Sequence, residues 1–310
     1  MVTGATGFLG RAVVERLSAE WLVRCATRGD TAVKGCAEHV RINLSTGDGL
    51  MAACLGADAV IHCAGLAHQF RGAEPRAFHE VNAAGTGRIA AAAVAQRVPR
   101  IVIASSIAVY GSGSGLRDED APCRPETDYA RSKLAGEDAV RREIRESSST
   151  AVILRLATVF GPCDPGNVAR LASAIRRGRF IPVGNGRNRK SLLHCADAAE
   201  AVARALDCEV RAGAAVVFNV SAAPVEMRQV VNGITAALGR RPYRWLLPAW
   251  PVRYAQRVCE WAGLGERAPL RAVEKFLSED VVDAARFEAA TGFAPAHRVD
   301  TGFAAVNGAD

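Results

Sequence analysis

Ser106, Tyr129 and Lys133 have the side chains needed to move a proton to or from a carbonyl or hydroxyl group. Tyr129 and Lys133 are four residues apart, so on a helix they lie on one face about one turn apart. A tyrosine with a pKa of about 10 is a poor base at neutral pH, but a neighbouring ammonium favours its phenolate form. Ser106 ends an apolar run upstream, where its hydroxyl is placed to hydrogen-bond a substrate oxygen. A Tyr-x-x-x-Lys pair alone arises by chance on many helices, so the rest of the chain must support this interpretation.

A glycine turn opens the chain, with Gly4, Gly7 and Gly10 in the spacing GxxGxxG. Such a turn brings the backbone close to a pyrophosphate, which then sits at the N-terminal end of the following helix. The glycine turn, the serine at a strand end and the Tyr-x-x-x-Lys pair occur in the order that a dinucleotide-dependent enzyme needs. Together they favour oxidoreduction over a chance cluster.

The residues after the second predicted strand bear on the choice of cofactor. NAD-binding sites usually place a carboxylate there to hold the ribose hydroxyls. Here Thr27 takes that place and Arg28 follows. An arginine without a carboxylate suits the 2′-phosphate of NADP, so NADP(H) is favoured and NAD(H) is the alternative. The competing interpretation is a solvated arginine at a strand end.

Short apolar runs alternate with helical patterns along the chain. This βαβα order predicts an α/β fold, a doubly wound parallel sheet of the Rossmann type, followed by a smaller, mostly helical C-terminal substrate region. The predicted strands cover residues 22–26, 59–62, 101–104, 151–154 and 216–220, and two of the predicted helices cover 9–19 and 86–96.

The composition of the 310-residue chain limits its class. Its net charge of +7 suits an anionic small molecule, and no run of like charges resembles a basic arm. The nine cysteines include no CxxC pair, which predicts reduced thiols, a cytoplasmic location and no metal site. No signal peptide or membrane-spanning stretch is visible. The scattered histidines, among them His62 and His194, are expected to be structural or superficial.

Seven segments of the sequence resemble the extended short-chain dehydrogenase/reductase family, the NAD(P)-dependent nucleotide-sugar epimerases, dehydratases and reductases. They are "VTGATGFLG", "VIHCAG", "FHEVNAAGT", "SSIAVYG", "YARSK", "RLATVFGP" and "GNGRNRKSLLHCADAAEAV". The resemblance covers almost the whole chain. It is specific for the superfamily and much less specific for the reaction.

The resemblance implies a role for particular residues. Tyr129 would be the acid/base and Lys133 its activator and a ligand of the cofactor ribose. Ser106 would be the partner of the substrate carbonyl, with Ser105 as the less favoured alternative. The cofactor would be bound by Gly4, Thr6, Gly7, Phe8, Leu9, Gly10, Arg28, Asn43, Leu44, Cys63, Ala64, Gly65, Tyr129 and Lys133. The substrate would be bound by Ser106, Asn167, Arg187 and Lys190.

Three departures from the family pattern are visible. Leu156 replaces a proline after Arg155, which bears on the local shape near the nicotinamide. Lys190 stands where an arginine commonly meets the substrate diphosphate, and a lysine supplies charge without a bidentate fork, so Arg187 or Arg189 would share that work. The apolar stretch before Gly4 is short, so we expect the native first strand to be longer than the one shown.

The residues after Ser106 limit the reaction. Dehydratases of the family carry an Asp-Glu pair there, whereas this chain has Ile107 and Ala108, which disfavours elimination of water. The prediction is reduction of a 4-keto group of a UDP-hexosamine derivative by hydride transfer. The alternative is a UDP-sugar 4-epimerase with tightly bound NAD. A non-catalytic Rossmann-fold binding protein is a further alternative, disfavoured because Tyr129 and Lys133 are both present.

The remaining expectations concern organisation and partners. The dinucleotide-binding domain would comprise residues 1–162 and 191–221, and the substrate-binding region 163–190 and 222–310. A homodimer would form through residues 86–97 and 128–142. Basic and aromatic residues alternate in "GRRPYRWLLPAWPVRYAQR", a pattern that single-stranded nucleic acid can use. We expect instead that Trp245, Leu246 and Leu247 pack inward, with the arginines solvated or facing an anionic substrate, and with no nucleic-acid or membrane partner.

Overall fold

The computed structural model describes residues 1–67, 74–113, 115–244, 247, 248, 250, 251, 254, 273, 275–297 and 303. Within this part of the chain, seven strands form one parallel sheet. They are β1 (Val2–Thr3), β2 (Arg24–Thr27), β3 (Glu38–Arg41), β4 (Ala59–His62), β5 (Arg100–Ser106), β7 (Thr150–Leu156) and β11 (Ala215–Val220). Their order across the sheet is β11-β7-β5-β4-β1-β2-β3. β1 is therefore an interior strand: the chain adds β2 and β3 on one side of it, and then β4, β5, β7 and β11 on the other.

Helices connect the strands and cover the sheet. They are α1 (Phe8–Leu17), α2 (Leu50–Cys54), α3 (Pro75–Phe78), α4 (Gly85–Ala95), α5 (Asp128–Ile144), α6 (Asn167–Arg176), α7 (Cys195–Leu206), α8 (Met227–Ala237) and α9 (Ala285–Thr291). A π-helical segment, His79–Ala84, joins α3 to α4, and a 3₁₀ segment, Ile107–Tyr110, follows β5.

Three short strand pairs lie outside the main sheet. They are β6 (Leu116–Arg117) with β13 (Val281–Val282), β8 (Thr158–Phe160) with β10 (Leu192–His194), and β9 (Arg189–Lys190) with β12 (Val225–Glu226).

The two faces of the sheet bury separate apolar clusters. Alternate residues of β7 point to opposite faces, so Val152 and Leu154 pack with α1 and α7 while Ala151 and Ile153 pack with α2, α4 and α5. Every residue of β7 is buried, as expected for a strand covered on both sides. The prediction of a doubly wound parallel sheet is confirmed.

The predicted strands are all present, with shifts of one or two residues at their ends. The strand predicted for residues 22–26 is β2, which begins two residues later, at Arg24; Leu22 lies outside it and is exposed. The sequence analysis missed β3, whose residues "EHVR" lie at the sheet edge and are largely exposed. An edge strand with charged side chains has no apolar run to reveal it.

Leu156 does not disturb its strand. It pairs with Ser106 at the end of the β5–β7 ladder, and its side chain is buried in the α1 and α7 core. The next residue, Ala157, donates its backbone N–H to Val220 O at 2.9 Å. β7 therefore runs to the edge of the sheet where Ser106 lies.

Beyond the sheet, α6 and α8 share an apolar cluster that includes Phe160, Ile175, Ile234 and Phe303. The described part of the region after the sheet contains helices α8 and α9 together with the short strands β12 and β13. The exact domain boundaries stay a prediction. None of the described helices has the length and apolar character required to cross a membrane. The eight described cysteines are free thiols.

Candidate active site

Three of the predicted site segments lie at the carboxyl ends of β1, β4 and β5, which are neighbours in the sheet. β1 leads into the glycine turn, β4 into Cys63–Gly65, and β5 ends at Ser106. Crevices at the carboxyl ends of parallel strands are where ligands bind in open α/β sheets. The tertiary structure therefore gathers segments that are far apart in the sequence.

The glycine turn is too tightly packed for side chains at two positions. Gly4 has φ +69°, and a Cβ there would lie 2.6 Å from the backbone nitrogen of Ala64. A Cβ on Gly10 would lie 2.0 Å from the carbonyl oxygen of Gly4. The first glycine thus allows the loop after β4 to approach, and the third allows α1 to pack on the turn.

Helix α1 presents its N-terminus at this turn. Gly7 is the N-cap, no side chain caps the helix, and its first turn holds no acidic residue. The N–H of Gly7 closes the turn on Gly4 O at 2.9 Å. Uncapped N–H groups at a helix N-terminus attract anions. These residues fit the pyrophosphate of a dinucleotide.

A buried hydrogen-bond chain fixes the end of β4. Thr3 Oγ1 lies 2.7 Å from His62 Nδ1, and His62 Nε2 lies 3.0 Å from Thr86 Oγ1. The Thr86 hydroxyl donates to Asn82 O at 2.6 Å, so it accepts from His62 and the imidazole carries its proton on Nε2. Burial, followed by the charge of Lys133, lowers the pKa of His62 to about 3. His62 is therefore a neutral structural residue, as expected.

Asn82 joins the cofactor loop to the helix that carries the catalytic pair. Its side-chain oxygen accepts from Leu66 N at 2.7 Å, and its amide donates to Leu66 O at 2.9 Å and to Ser132 Oγ at 3.0 Å. The Ser132 hydroxyl in turn donates to Tyr129 O at 2.8 Å. The sequence analysis did not single out Asn82, although it lies within the quoted segment "FHEVNAAGT".

The structure separates the two serines at the end of β5. Ser105 is buried and donates to Glu137 Oε1 at 2.6 Å. Ser106 is half-buried, accepts from Ala108 N at 3.2 Å, and forms a side-chain hydrogen bond with Tyr129. This geometry favours Ser106 over Ser105 as the partner of a substrate oxygen, and the assignment stays a prediction.

Tyr129 and Lys133 lie on one face of α5 and both point towards β5. Burial raises the pKa of the Tyr129 phenol, and its hydrogen bond with Ser106 opposes this shift. Lys133 Nζ donates to Ala104 O at 2.5 Å. Burial lowers the pKa of Lys133 to about 8, while the charge of Glu137 and the nearby Cys63 thiol raise it. The half-buried phenol and the buried ammonium therefore both lie beside the last residues of β5.

At the end of β2, the Thr27 hydroxyl donates to Gly29 O at 2.5 Å. Thr27 Oγ1 also lies 2.6 Å from His39 Nε2, from which it accepts. Arg41 pairs with Thr27 across β2 and β3, and its Nε donates to Arg28 O at 3.1 Å. His39 and Arg41 belong to the edge strand that the sequence analysis missed, and they add donors beside Arg28.

Asn43 and Leu44 follow β3 at the same edge of the sheet. The Asn43 side chain accepts from Ser45 N at 2.9 Å, and Leu44 is buried against Gly85 at the start of α4. Their predicted proximity to the adenine stays a prediction.

The predicted substrate residues have different surroundings. Asn167 is exposed at the first position of α6, and Arg187 is exposed in the loop before β9. Lys190, in contrast, is buried and donates to Lys275 O at 2.8 Å, Ser278 Oγ at 2.9 Å and Asp280 Oδ2 at 2.6 Å.

An ammonium group has three protons, so these three acceptors use the full donor capacity of Lys190. Contrary to our expectation, the structure leaves Lys190 no donor for a diphosphate and gives it a structural role that joins β9 to the segment before β13. Arg187 is then the better candidate to meet the diphosphate.

Part of the basic and aromatic segment is accounted for by packing. Arg240 donates to Ile175 O at 2.9 Å and to Arg176 O at 2.5 Å, at the end of α6. Tyr243 packs on Phe180 with ring centroids 5.1 Å apart. Leu247, which was expected to pack inward, is instead 50% exposed. Trp245, Leu246, Arg253 and Arg257 lie outside the described residues. Across the described chain, no group of three or more histidine, cysteine or acidic side chains has a metal-binding arrangement.

The fold and the site are those of an NAD(P)-dependent Rossmann-fold enzyme, with Ser106, Tyr129 and Lys133 as its predicted catalytic residues. A family model, the NAD dependent epimerase/dehydratase family, matches residues 1–221. The chain belongs to that family, and the predicted enzyme of the extended short-chain dehydrogenase/reductase type is confirmed.

Two curated relatives each cover most of the chain. It is 29% identical over 272 residues to a UDP-glucose 4-epimerase of Vibrio cholerae, covering 81% of this chain and 79% of the relative. It is 31% identical over 258 residues to a 4-hydroxy-2-methyl-3-oxo-4-farnesyl-3,4-dihydroquinoline-1-oxide ketoreductase of Stigmatella aurantiaca, covering 78% and 76%.

A solved structure, MoeE5 in complex with UDP-glucuronic acid and NAD, has a TM-score of 0.78 and 24% identity. The match covers 98% of this chain and 96% of that one. It supports the fold.

Proposed function

We propose that this chain uses NADPH to reduce the 4-keto group of a UDP-hexosamine derivative. The proposal depends chiefly on the end of β2, where a carboxylate that could accept a ribose 2′-hydroxyl is replaced by Thr27. The single proton of Thr27 already goes to Gly29 O. Arg28 and the neighbouring Arg41 place positive charge at this position instead. This charge suits the 2′-phosphate of NADPH.

The catalytic residues suit the direction of reduction. The bound cofactor would supply a hydride to the carbonyl carbon, and the negative charge that develops on the oxygen must be neutralised. Ser106 and Tyr129 share a hydrogen bond, so one oxygen can contact both. Burial keeps the Tyr129 phenol protonated at neutral pH, ready to donate its proton. The Lys133 ammonium on the same helix face stabilises the phenolate that remains.

The segment after β5 argues against dehydration. Ile107 and Ala108 occupy the first two positions of the 3₁₀ segment, and neither carries an acid or a base. Eliminating water requires a group that removes a proton from carbon, so reduction or epimerisation without elimination is the better match.

Epimerisation is the second candidate, favoured by the similarity to the Vibrio cholerae UDP-glucose 4-epimerase. The same Tyr129 would then remove a proton from a hydroxyl group and later return it. An epimerase keeps its cofactor between turnovers, whereas a reductase releases it. The purified protein should therefore carry no stoichiometric NAD if the reductase proposal is right.

A panel of substrates tests the reaction. The arms are UDP-hexoses, their 4-keto N-acetylhexosamine derivatives and an apolar β-keto ester, with NADPH consumption and product stereochemistry followed together. The β-keto ester is included for two reasons. Lys190, expected to bind the diphosphate, is already engaged with Asp280, and one relative is a ketoreductase. NADPH consumption with the ketosugar is expected, and consumption with the ester alone would contradict the nucleotide-sugar substrate.

The cofactor preference is the first prediction. We expect NADPH to bind the chain about 10- to 100-fold more tightly than NADH, because charge-assisted hydrogen bonds to the 2′-phosphate are worth roughly 1.5–3 kcal/mol. Arg28→Ala should remove most of this difference while leaving NADH affinity unchanged. Titration of both cofactors into the parent and the variant measures it.

Arg97→Ala is a suitable control. Arg97 lies in the turn between α4 and β5, at the edge of the sheet opposite to the carboxyl ends where Arg28 lies. Equal affinity of the parent for the two cofactors would refute the assignment of Arg28. It would also make the epimerase with bound NAD the better proposal.

A further inference from the structure

Glu137 lies one helical turn beyond Lys133 on α5, and its side chain is completely buried between the helix and the sheet. The carboxylate accepts hydrogen bonds from three residues, Ser105, Arg155 and Arg141, the last of which donates from Nη2 to Oε2 at 3.3 Å. Ser105 of β5 donates to Oε1 at 2.6 Å. Arg155 of β7 donates from Nε to Oε1 at 3.1 Å and from Nη2 to Oε2 at 2.8 Å.

Arg155, the ion-pair partner of Glu137, belongs to a longer chain of buried hydrogen bonds. Arg155 Nη1 donates to the Tyr110 hydroxyl at 3.0 Å, and Tyr110 donates to Asn219 Oδ1 at 2.7 Å. Burial alone would lower the pKa of the Arg155 guanidinium, but its ion pair with Glu137 raises that pKa above its ordinary value. Arg155 is therefore charged in the interior, where it forms an ion pair with Glu137 at 2.8 Å. The free energy needed to remove two charges from water often equals or exceeds the attraction between them, so such a pair adds little to the stability of the fold. Its presence therefore points to another role.

We propose that Glu137 is a positioning residue for Lys133. Its buried carboxylate ties the catalytic helix to the ends of β5 and β7 and keeps the Lys133 side chain in its ammonium form. The proposal rests on the proposed function in so far as Lys133 serves Tyr129 in catalysis. It names a residue outside the Ser106, Tyr129 and Lys133 set.

The surroundings of Lys133 explain why it needs this support. Its ammonium is buried and donates to Ala104 O, a neutral acceptor. The titratable groups that interact with it are His62 and Cys63 at the end of β4, and Glu137 on its own helix. His62 is neutral, and burial raises the pKa of the Cys63 thiol to about 12, so at neutral pH neither carries a charge. Of these groups, Glu137 alone supplies a negative charge at neutral pH.

The tether also sets geometry. Ser105 and Ser106 are adjacent on β5, and Glu137 is eight residues beyond Tyr129 on α5. The Ser105–Glu137 hydrogen bond therefore fixes the helix against the strand whose last residue, Ser106, meets Tyr129. Arg155, which pairs with Ser105 across the β5–β7 ladder, completes the same junction from β7.

Lysine titration followed by NMR tests the proposal without any substrate. The chain has only four lysines, Lys34, Lys133, Lys190 and Lys275, so lysine labelled with ¹³C at Cε gives few signals, and Lys133→Met assigns the one of interest. In the parent, Lys133 is expected to titrate near pH 8. In Glu137→Gln its pKa should fall by about one unit or more, because an opposite charge that favoured the ammonium is gone and the Arg155 charge is left unbalanced.

Asp138→Asn is the matched control. Asp138 is the next residue on α5, but it is exposed and paired with Arg141 at 2.7 Å. Its loss should leave the Lys133 titration in place. The Lys190 signal should not move in any of these variants, since its carboxylate partner is Asp280.

Several results would overturn the proposal. One is an unchanged Lys133 titration in folded Glu137→Gln, and another is a parent in which Lys133 is already uncharged at pH 7. If the single variant does not fold, Glu137→Gln combined with Arg155→Gln removes both charges of the pair. The Lys133 pKa should then still fall, by less than in the single variant, because the unbalanced Arg155 charge is also gone.

The titration is run in the cofactor-free chain and in the chain saturated with NADPH. A fall in the Lys133 pKa together with no reaction in the substrate panel would reject the proposed function and keep the role of Glu137. Turnover of the ketosugar with an unmoved Lys133 signal would do the reverse.

Discussion

Tyr129→Phe is expected to reduce turnover by roughly 10²–10⁴-fold while leaving NADPH affinity within a factor of about two. The lost factor is the usual contribution of one general acid or base, and the phenol is the group on this helix face placed to transfer a proton to a substrate that contacts Ser106. Phenylalanine keeps the edge-to-face packing of the ring on Phe78, whose centroid lies 6.5 Å away. Steady-state rates and cofactor titration on the same preparation separate the two effects.

Tyr243→Phe provides the matched control. It removes another phenol hydroxyl while keeping the ring that packs on Phe180, so its turnover should equal that of the parent. Near-parental activity of a correctly folded Tyr129→Phe would refute the acid/base assignment. A collapse of cofactor binding in that variant would instead indicate that the tyrosine acts mainly in binding.

Gly10→Ala is expected to weaken both the fold and the binding of the cofactor. The new methyl group would lie 2.0 Å from Gly4 O and 2.7 Å from Gly4 C, so the turn or helix α1 must move. Overpacking of this kind costs about 1–3 kcal/mol in the free energy of unfolding. A displaced turn also no longer aims the α1 N–H groups at the pyrophosphate, and we expect dinucleotide affinity to fall by at least about tenfold.

Gly113→Ala controls for the general effect of adding a methyl group. No atom lies within 4 Å of a Cβ built at Gly113, so both stability and NADPH affinity should match those of the parent. Chemical denaturation and cofactor titration measure the two quantities for each variant. Parental cofactor affinity in Gly10→Ala would contradict the position of the pyrophosphate at this turn.

The sequence determined the class of fold and the order of the site. Alternating apolar runs and helical patterns are local properties, and they predicted the parallel sheet because a strand buried on both faces must be apolar throughout. The glycine spacing and the Tyr129 to Lys133 interval are also local, since a turn and one helical repeat fix them. The helix N-terminus at Gly7 and the shared face of Tyr129 and Lys133 follow from these patterns alone.

The tertiary structure decided which polar side chains are free to act. Ser105 and Ser106 look alike in the sequence, but Ser105 hydrogen-bonds the buried Glu137, whereas Ser106, at the very end of β5, hydrogen-bonds Tyr129. Lys190 matched a substrate position, yet residues 275–280 fold back and occupy all its protons. Arg41 and His39 join Arg28 only because an edge strand without an apolar pattern pairs with β2. Such pairings connect residues far apart in the chain, and no local pattern encodes the partner that a buried donor must find.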